Sequence, residues 1–320
     1  MIRFIYGLAL RAYHFIVFMV SPFNPKAALW IRGRKGLLDK VKGHFAPTDR
    51  VVWFHAASLG EFEQGRPLME ALKAKDPGIR LLVTFFSPSG YEVRKNFPLA
   101  DLVCYLPLDT PGRMQKFVDA VNPEALFIIK YEFWYNLFLI LKKRGVKIYL
   151  AAGIFRERQH FFQWWGKWFL KNLSAITWFF VQDEATKQLL EKAGFNNVSV
   201  SGDTRFDRVV KVASEGAAVP LPDGFIDGSP VVVAGSTWPQ DEEMIAGVVP
   251  NFPQVKWIIA PHQVDEMHTN QLMKMLPGAV KLSETTAAAT DARFLVIDSI
   301  GLLSSLYRFG YIAYVGGGFG

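Results

Sequence analysis

The sequence has one cysteine among 320 residues and six scattered histidines. Cys104 sits alone in the apolar run Leu102-Val-Cys-Tyr-Leu106, which excludes an intramolecular disulfide and a thiolate metal cluster. A buried strand thiol in a reducing compartment is the expectation. The His-Glu-x-x-His, Cys-x-x-Cys, Walker A and Gly-x-Gly-x-x-Gly patterns are missing too, which argues against a metalloenzyme or a dinucleotide enzyme. Low-complexity tracts and short internal repeats are absent. So is a clean apolar run of about 20 residues. Residues 2–20 come nearest, but Arg3 and Arg11 interrupt them, and no small-residue cleavage site follows to make a signal peptide.

Acidic residues are outnumbered, 29 against 36 Lys and Arg, for a net charge of +7. That balance asks for a negative partner: nucleic acid, anionic lipid or a phosphorylated substrate. Half of the residues (50%) are hydrophobic, which favours the lipid choices. At about 100° per residue, Arg3, Gly7, Arg11, His14 and Ser21 fall in one narrow wedge, with Phe4, Ile5, Leu8, Phe15, Ile16 and Phe18 beyond it. Residues 1–22 are therefore expected to form a membrane-associated helix lying in, or tilted through, a membrane surface. The alternative is a helix docked on its own domain. Lys26, Arg32, Arg34, Lys35, Lys40 and Lys42 follow closely, a basic cluster suited to anionic headgroups on the cytoplasmic side. Because the positive charge gathers beside an apolar helix, lipid is preferred to nucleic acid. The aromatic stretch from His160 to Phe169 suits either the headgroup level of a bilayer or a core helix.

From residue 51 onward, short β-rich runs alternate with helical stretches. Runs at 51–55, 80–85, 102–105, 125–129, 147–150 and 176–181 read as strands, and 61–75, 112–121, 135–143 and 184–193 as helices. A Gly- and Pro-rich segment at 213–229 reads as a linker. Beyond it, strands are expected at 231–234, 255–260, 294–297 and 311–315. This pattern predicts an α/β protein with two Rossmann-like domains, 23–212 and 230–320, each a parallel sheet covered on both faces and facing one another across a cleft. Ligands in such sheets bind beyond the carboxyl ends of the strands. The last strand runs into Gly316-Gly-Gly-Phe-Gly320, so the second domain is expected to be incomplete.

Polar residues at strand ends are the candidates for chemistry. His55-Ala-Ala-Ser-Leu-Gly-Glu61 joins a strand to a helix through Gly60 and places a carboxylate near a helix amino terminus. Ser58 and Glu61 also have the Ser-x-x-Glu spacing of a capping box, and on spacing alone the cap is preferred. Lys130-Tyr-Glu-Phe-Trp-Tyr-Asn136 places Glu132 among aromatics, where desolvation raises a carboxyl pKa and suits a base or a sugar-hydroxyl ligand; a helix-start acid paired with Lys130 is the structural alternative. Gly235-Ser-Thr-Trp238, Pro261-His262 and Asp298-Ser-Ile-Gly301 end three successive strands and make a candidate nucleotide pocket. Arg205 is placed to meet phosphate or carboxylate, or to form an interdomain ion pair.

Taken together and in order, these segments resemble the Kdo transferase family. The matching pieces are Trp30-Ile-Arg-Gly-Arg-Lys35, His55 to Glu61, Tyr105-Leu-Pro-Leu-Asp109, Glu132 to Asn136, Gly202 to Asp207, Gly235-Ser-Thr237, Pro261-His262, Asp298 to Gly301 and Val315-Gly-Gly317. The resemblance covers nearly the whole chain. It implies a GT-B glycosyltransferase that moves Kdo from CMP-Kdo to lipid A precursor (lipid IVA) at the cytoplasmic face of the inner membrane, in lipopolysaccharide biosynthesis, without a metal or other cofactor. It also implies that Glu61, in the Ser58-x-Gly60-Glu61 motif, is the catalytic base, that Glu132 is a second important carboxylate, and that Arg205 fills a basic position. Ser236, Thr237, His262, Ile300, Gly301 and Gly317 fall on the donor side. The chain departs from the family pattern at Trp238, where many relatives have His, and in Phe133-Trp-Tyr-Asn136, where Leu-Trp-Pro-Asn is common. The family continues past the glycine turn with a His-Asn-x-Leu-Glu segment, so the chain is expected to be truncated. Two other readings remain: a lipid-directed GT-B enzyme with a different nucleotide sugar, and a non-catalytic membrane-surface module.

Overall fold

Runs rich in Val, Ile, Leu and aromatics become strands because branched and flat side chains pack well on a pleated surface. A computed structural model describes residues 2–207, 210, 219, 221–285 and 292–318. The chain divides into two units, Met1–Asp207 and Arg208–Gly320.

In the first unit, β1 (Val51–Ala56), β2 (Arg80–Phe85), β3 (Leu102–Tyr105), β4 (Ala125–Ile129), β5 (Lys147–Gly153), β6 (Trp178–Val181) and β7 (Val198–Val200) form one sheet. Their order is β3-β2-β1-β4-β5-β6-β7, and neighbouring strands are parallel. Every residue of β1 is buried, as a central strand covered on both faces must be. Alternate side chains enter opposite cores: Trp53 joins Phe117, Leu126 and Phe138, while Phe54 joins Phe62, Val83 and Ile129. Burying each such ring contributes roughly 2–3 kcal/mol. The chain lays down β1, β2 and β3 outward in one direction and then returns to place β4 on the other side of β1. The carboxyl ends of β1 and β4 thus flank the point where strand order reverses, the usual ligand crevice of such sheets.

The second unit repeats the plan with β8 (Val231–Thr237), β9 (Lys256–Pro261), β10 (Ala279–Lys281), β11 (Phe294–Val296) and β12 (Ile312–Val315), ordered β10-β11-β9-β8-β12. Its reversal point lies between β8 and β12. Residues 213–218 and 220 of the expected linker lie outside the described residues, as do 319 and 320 of the glycine run. The described part of that linker packs on the second unit. Phe225 is fully buried there, Lys256 donates to its carbonyl at 2.8 Å, and Lys256 also pairs with Asp227.

The first helix, α1 (Ile2–Val20), has no buried residue. It docks on the first unit through polar and aromatic groups. Arg3 donates to Asn136 Oδ1 at 3.2 Å, Tyr6 to Asp109 Oδ2 at 2.7 Å, and Tyr13 and His14 pack against Trp30. Phe4, Ile5, Leu8, Phe15, Ile16 and Phe18 face outward and are more than half exposed. The helix is thus polar inward and apolar outward, the reverse of a surface helix on a water-soluble domain. Within the aromatic stretch Phe161 is buried in the core, while Trp164 and Trp165 are exposed.

Two short helices follow α1, namely α2 (Pro25–Arg32) and α3 (Leu37–Val41). Arg34, between them, is fully engaged. Its guanidinium donates to the carbonyls of Leu106, Trp30 and Phe86 at 2.8, 3.1 and 2.9 Å and lies over the rings of Trp30, Phe86 and Tyr105. It ties the connections after β2 and β3 to α2, and no acidic partner for it occurs among the described residues.

Candidate active site

The helix after β1, α4 (Leu59–Lys75), begins at Ser58, whose backbone is extended and whose side chain makes no capping hydrogen bond. Only half of the expected capping box therefore forms. Glu61, the third helical residue, reaches back and accepts from the Ala57 N–H at 2.5 Å. A Cβ at Gly60 would meet nothing within 4 Å, so packing does not require glycine there, and its absence of side chain leaves the helix start open beside Glu61.

Glu61 is half-buried, and burial together with the nearby Glu132 charge pushes its carboxyl up to about 7, against the opposing Ala57 hydrogen bond and Lys130 charge. A carboxyl in that range exchanges protons near neutral pH. Glu132 arrives from the end of β4 and is held over the end of β1: its Oε2 lies 3.6 Å from Nε2 of the fully buried His55. The Trp134 indole N–H donates to that same nitrogen at 2.9 Å, so Nε2 is an acceptor and the ring hydrogen sits on Nδ1, which faces the Thr84 carbonyl at 3.1 Å. His55 thereby fixes the loop that carries Glu132. The ion pair of Glu132 with Lys130, the structural alternative, does not form among the described residues. Lys130 instead has a left-handed backbone, φ 62°, unusual for a side-chain-bearing residue and located where strain commonly marks a functional turn.

Asp109 completes the support. Its carboxylate accepts from the backbone N–H groups of Asn136 and Leu137, both at 2.9 Å, at the start of α7 (Tyr135–Lys143). The same carboxylate accepts from Tyr6 of α1, so the docked first helix and the loop bearing Glu132 share an anchor. Arg205 meets a carboxylate of its own unit. Its guanidinium folds back on Asp203 at 2.8 Å, holding that carboxyl down to about 2, while Gln64 of α4 also donates to Asp203 at 3.1 Å. The pair lies within the first unit rather than bridging domains.

In the second unit, β8 ends in Gly235, Ser236 and Thr237 and leads into α10 (Pro239–Val248). Ser236 has φ 54°. The Thr237 hydroxyl is fully buried and donates to Glu242 at 2.8 Å, which also meets His268 at 2.9 Å. His262 follows β9, is exposed, and stacks on Trp238 with ring centroids 4.5 Å apart. Ile300 is 88% exposed, and Gly301 and Gly317 have φ 96° and 90°. The structure brings Ser236, Thr237, Trp238, His262 and Gly317 together around the β8/β12 reversal point.

Two residues escape sequence reasoning. Asp241, the third residue of α10, is 1% exposed and accepts from the N–H groups of Trp238 and Gly317 and the hydroxyl of Tyr314, at 2.8, 3.0 and 2.5 Å. It clamps the turn after β12 to the start of α10. A Cβ at Gly316 would lie 2.5 Å from the Ser236 carbonyl and 2.7 Å from Thr237 Cα, so only glycine fits where these two strand ends meet. The signal for Asp241 was its place, three residues into a helix after a strand, the same as that of Glu61.

Residues 31–208 match the profile of the 3-deoxy-D-manno-octulosonic-acid transferase (kdotransferase) family. The chain is 26% identical over 285 residues to 3-deoxy-D-manno-octulosonic acid transferase of Chlamydia muridarum, covering 84% of this chain and 65% of that protein. It is likewise 26% identical over 275 residues to the enzyme of that name from Aquifex aeolicus, with 84% and 69% covered. The chain thus spans about two thirds of the length of these relatives. Among solved structures, UDP-GlcNAc 2-epimerase from Neisseria meningitidis superposes with a TM-score of 0.54 at 13% identity, over 85% of this chain and 78% of that one. The likeness is one of fold: two parallel α/β sheets of GT-B type.

Proposed function

Since the chain belongs to the 3-deoxy-D-manno-octulosonic-acid (Kdo) transferase family, we propose that it transfers Kdo from CMP-Kdo to lipid A precursor at the cytoplasmic face of the inner membrane, with Glu61 as general base. The observation that carries this reading is the meeting of two carboxylates, Glu61 and Glu132, at the β1/β4 reversal point, with Glu61 pushed up to about 7. A base serves best when its pKa lies near the working pH. Glu61 takes the proton of the acceptor sugar hydroxyl, the oxygen attacks the anomeric carbon of Kdo, and the bond to the CMP phosphate breaks as CMP leaves. Glu132, steadied through His55 and Trp134, keeps the Glu61 carboxyl high and accepts a hydrogen bond from the acceptor sugar. Arg205, exposed beyond its pairing with Asp203, supplies positive charge near the acceptor unit.

On the donor side, the positive end of the α10 dipole is suited to an anion such as the CMP phosphate. Ser236, His262, Ile300, Gly301 and Gly317 line that side, Thr237 holds the turn from beneath, and Trp238 offers a ring beside His262. The outward apolar face of α1 supports seating on a membrane, with the basic residues after it at the headgroups.

A donor screen tests the assignment. Vesicles carrying lipid A precursor are offered CMP-Kdo or UDP-sugars, and the lipid product is weighed by mass spectrometry. Kdo addition from CMP-Kdo alone is expected. Transfer from a UDP-sugar with none from CMP-Kdo would reassign the enzyme to another lipid-directed glycosyltransfer, and no transfer from any donor would favour a binding module.

A further inference from the structure

The helix that follows the Glu132 loop, α7, has no cap of its own. Trp134, the residue before it, makes no side-chain capping hydrogen bond. The first N–H groups of a helix need an outside acceptor, and a carboxylate suits them best. Asp109 supplies it from a different loop, accepting from the N–H groups of Asn136 and Leu137, while its own carbonyl accepts from Asn136 Nδ2 at 2.6 Å. Asp109 is fully buried, and burial pushes its carboxyl up despite the donors that face it. One of those donors belongs to neither loop. It is the Tyr6 hydroxyl of α1, at 2.7 Å from Oδ2, and it favours the ionised form that caps α7 best. The Tyr6 ring also stands edge-on to Tyr135, centroids 5.1 Å apart, and Arg3 of the same helix donates to Asn136 Oδ1. A helix that served only as a membrane seat would have no need of a hydrogen bond to a buried acid 103 residues away.

We infer that Tyr6 is a positioning residue for the candidate site: acting through Asp109, its hydroxyl sets where the loop 130–134 carries Glu132, and so how closely that carboxylate bears on Glu61. The loop is fixed in its middle by Trp134 on His55 and at its far end by the Asp109 cap. Without the Tyr6 hydroxyl the buried carboxyl keeps fewer donors, ionises less readily and holds the α7 start less firmly. Slack at that end reaches Glu132 within four residues. The effect on transfer rests on the reading of Glu61 as the base; the hold of α1 on the loop does not.

Two measurements on Tyr6→Phe test this, a change that removes the hydroxyl and keeps the ring against Tyr135 and Trp168. In hydrogen exchange of the whole protein read by mass spectrometry, the segment 131–138 should exchange about tenfold faster than in the parent, since a hydrogen bond to a charged group weighs on that order. The second unit should be unchanged. Equal exchange across 131–138 would overturn the inference. Kdo transfer is then followed with the acceptor in detergent micelles, so that membrane attachment does not limit the rate. The variant should lose about tenfold, and the midpoint of the rise with pH should move lower, because a Glu132 drawn off from Glu61 raises its carboxyl less. A lower rate with an unmoved midpoint would reduce Tyr6 to a stabilising contact and end its positioning role. Tyr13→Phe, the same change elsewhere on α1, should move neither readout; an equal response there would assign the effect to the helix as a whole and not to Tyr6. If the parent transfers no Kdo, the proposed reaction falls, and hydrogen exchange alone decides the hold of α1 on the loop: faster exchange in Tyr6→Phe sustains it, and equal exchange ends it.

Discussion

Glu61 and Asp241 occupy the same place in their two sheets, the third residue of the helix that follows the first strand of each unit, yet their carboxyl groups are treated in opposite ways. Each reaches back to a backbone N–H before its helix. Glu61 has burial and a second carboxylate, Glu132, against it and rises to about 7. At Asp241 burial also works against the charge, but Tyr314, Trp238 and Gly317 donate to it and hold the carboxyl below its ordinary value. A capping carboxylate is thus reactive or structural according to how many donors face it. The first unit keeps its acid short of partners, and the second satisfies its acid to join β8 to β12.

The strongest way to break this comparison is to remove each charge in turn. Glu61→Gln keeps an acceptor for the Ala57 N–H but cannot take a proton, so Kdo transfer should fall about 10²- to 10⁴-fold, the usual worth of a general base. Unchanged turnover in a vesicle assay would remove Glu61 from the mechanism. The folded-state pKa of Glu61 is raised, so its stabilising effect is present below the ordinary carboxyl range and is lost as pH rises through about 7. Urea unfolding at pH 8 should therefore find Glu61→Gln more stable than the parent, by about 1–3 kcal/mol. Asp241→Asn should have the opposite sign. The folded-state pKa of Asp241 is lowered, so its contribution is present above the ordinary range and is lost only as pH falls through the folded value. Exchanging the charge for an amide weakens three charge-assisted hydrogen bonds and should cost on the order of 2 kcal/mol at pH 8. The same sign for both variants would dissolve the contrast.

How much of this could be read from the chain follows from the distance over which each feature is decided. The strands at 51–55, 80–85, 102–105 and 125–129 were legible because their apolar runs are long enough to be buried wherever they pack, and the observed β1 to β4 match them within one residue. The three-residue β7 and β10 were not, since such short runs carry too little pattern to separate from loops. The split character of α1 was visible as a wedge of Arg3, Gly7, Arg11 and His14. That Arg3 faces inward depended on Asn136, 133 residues away. Glu61 and Glu132 each looked like a helix-start acid by local spacing. Their meeting comes from the pairing of β1 with β4, a neighbour relation that no local pattern encodes. Asp241 was missed for the same reason, because its partner Gly317 lies 76 residues along the chain.

The finest probe of the comparison changes the neighbours of Glu61 and leaves Glu61 itself in place. If the base must be ionised to act, transfer rises with pH and levels off above about 7, and the midpoint of that rise reports the Glu61 carboxyl. Glu132 raises this value and Lys130 lowers it, with Glu132 the larger influence. Glu132→Gln should therefore move the midpoint to lower pH, alongside whatever rate is lost with the acceptor contact. Lys130→Met should move it to higher pH by a smaller amount. A group titrating elsewhere in the protein would ignore both changes, and one governed by burial alone would respond to neither charge. Opposite shifts of unequal size, read from the pH profile and not from the rate at one pH, would identify the titrating group as Glu61 and show that its charged neighbours tune it.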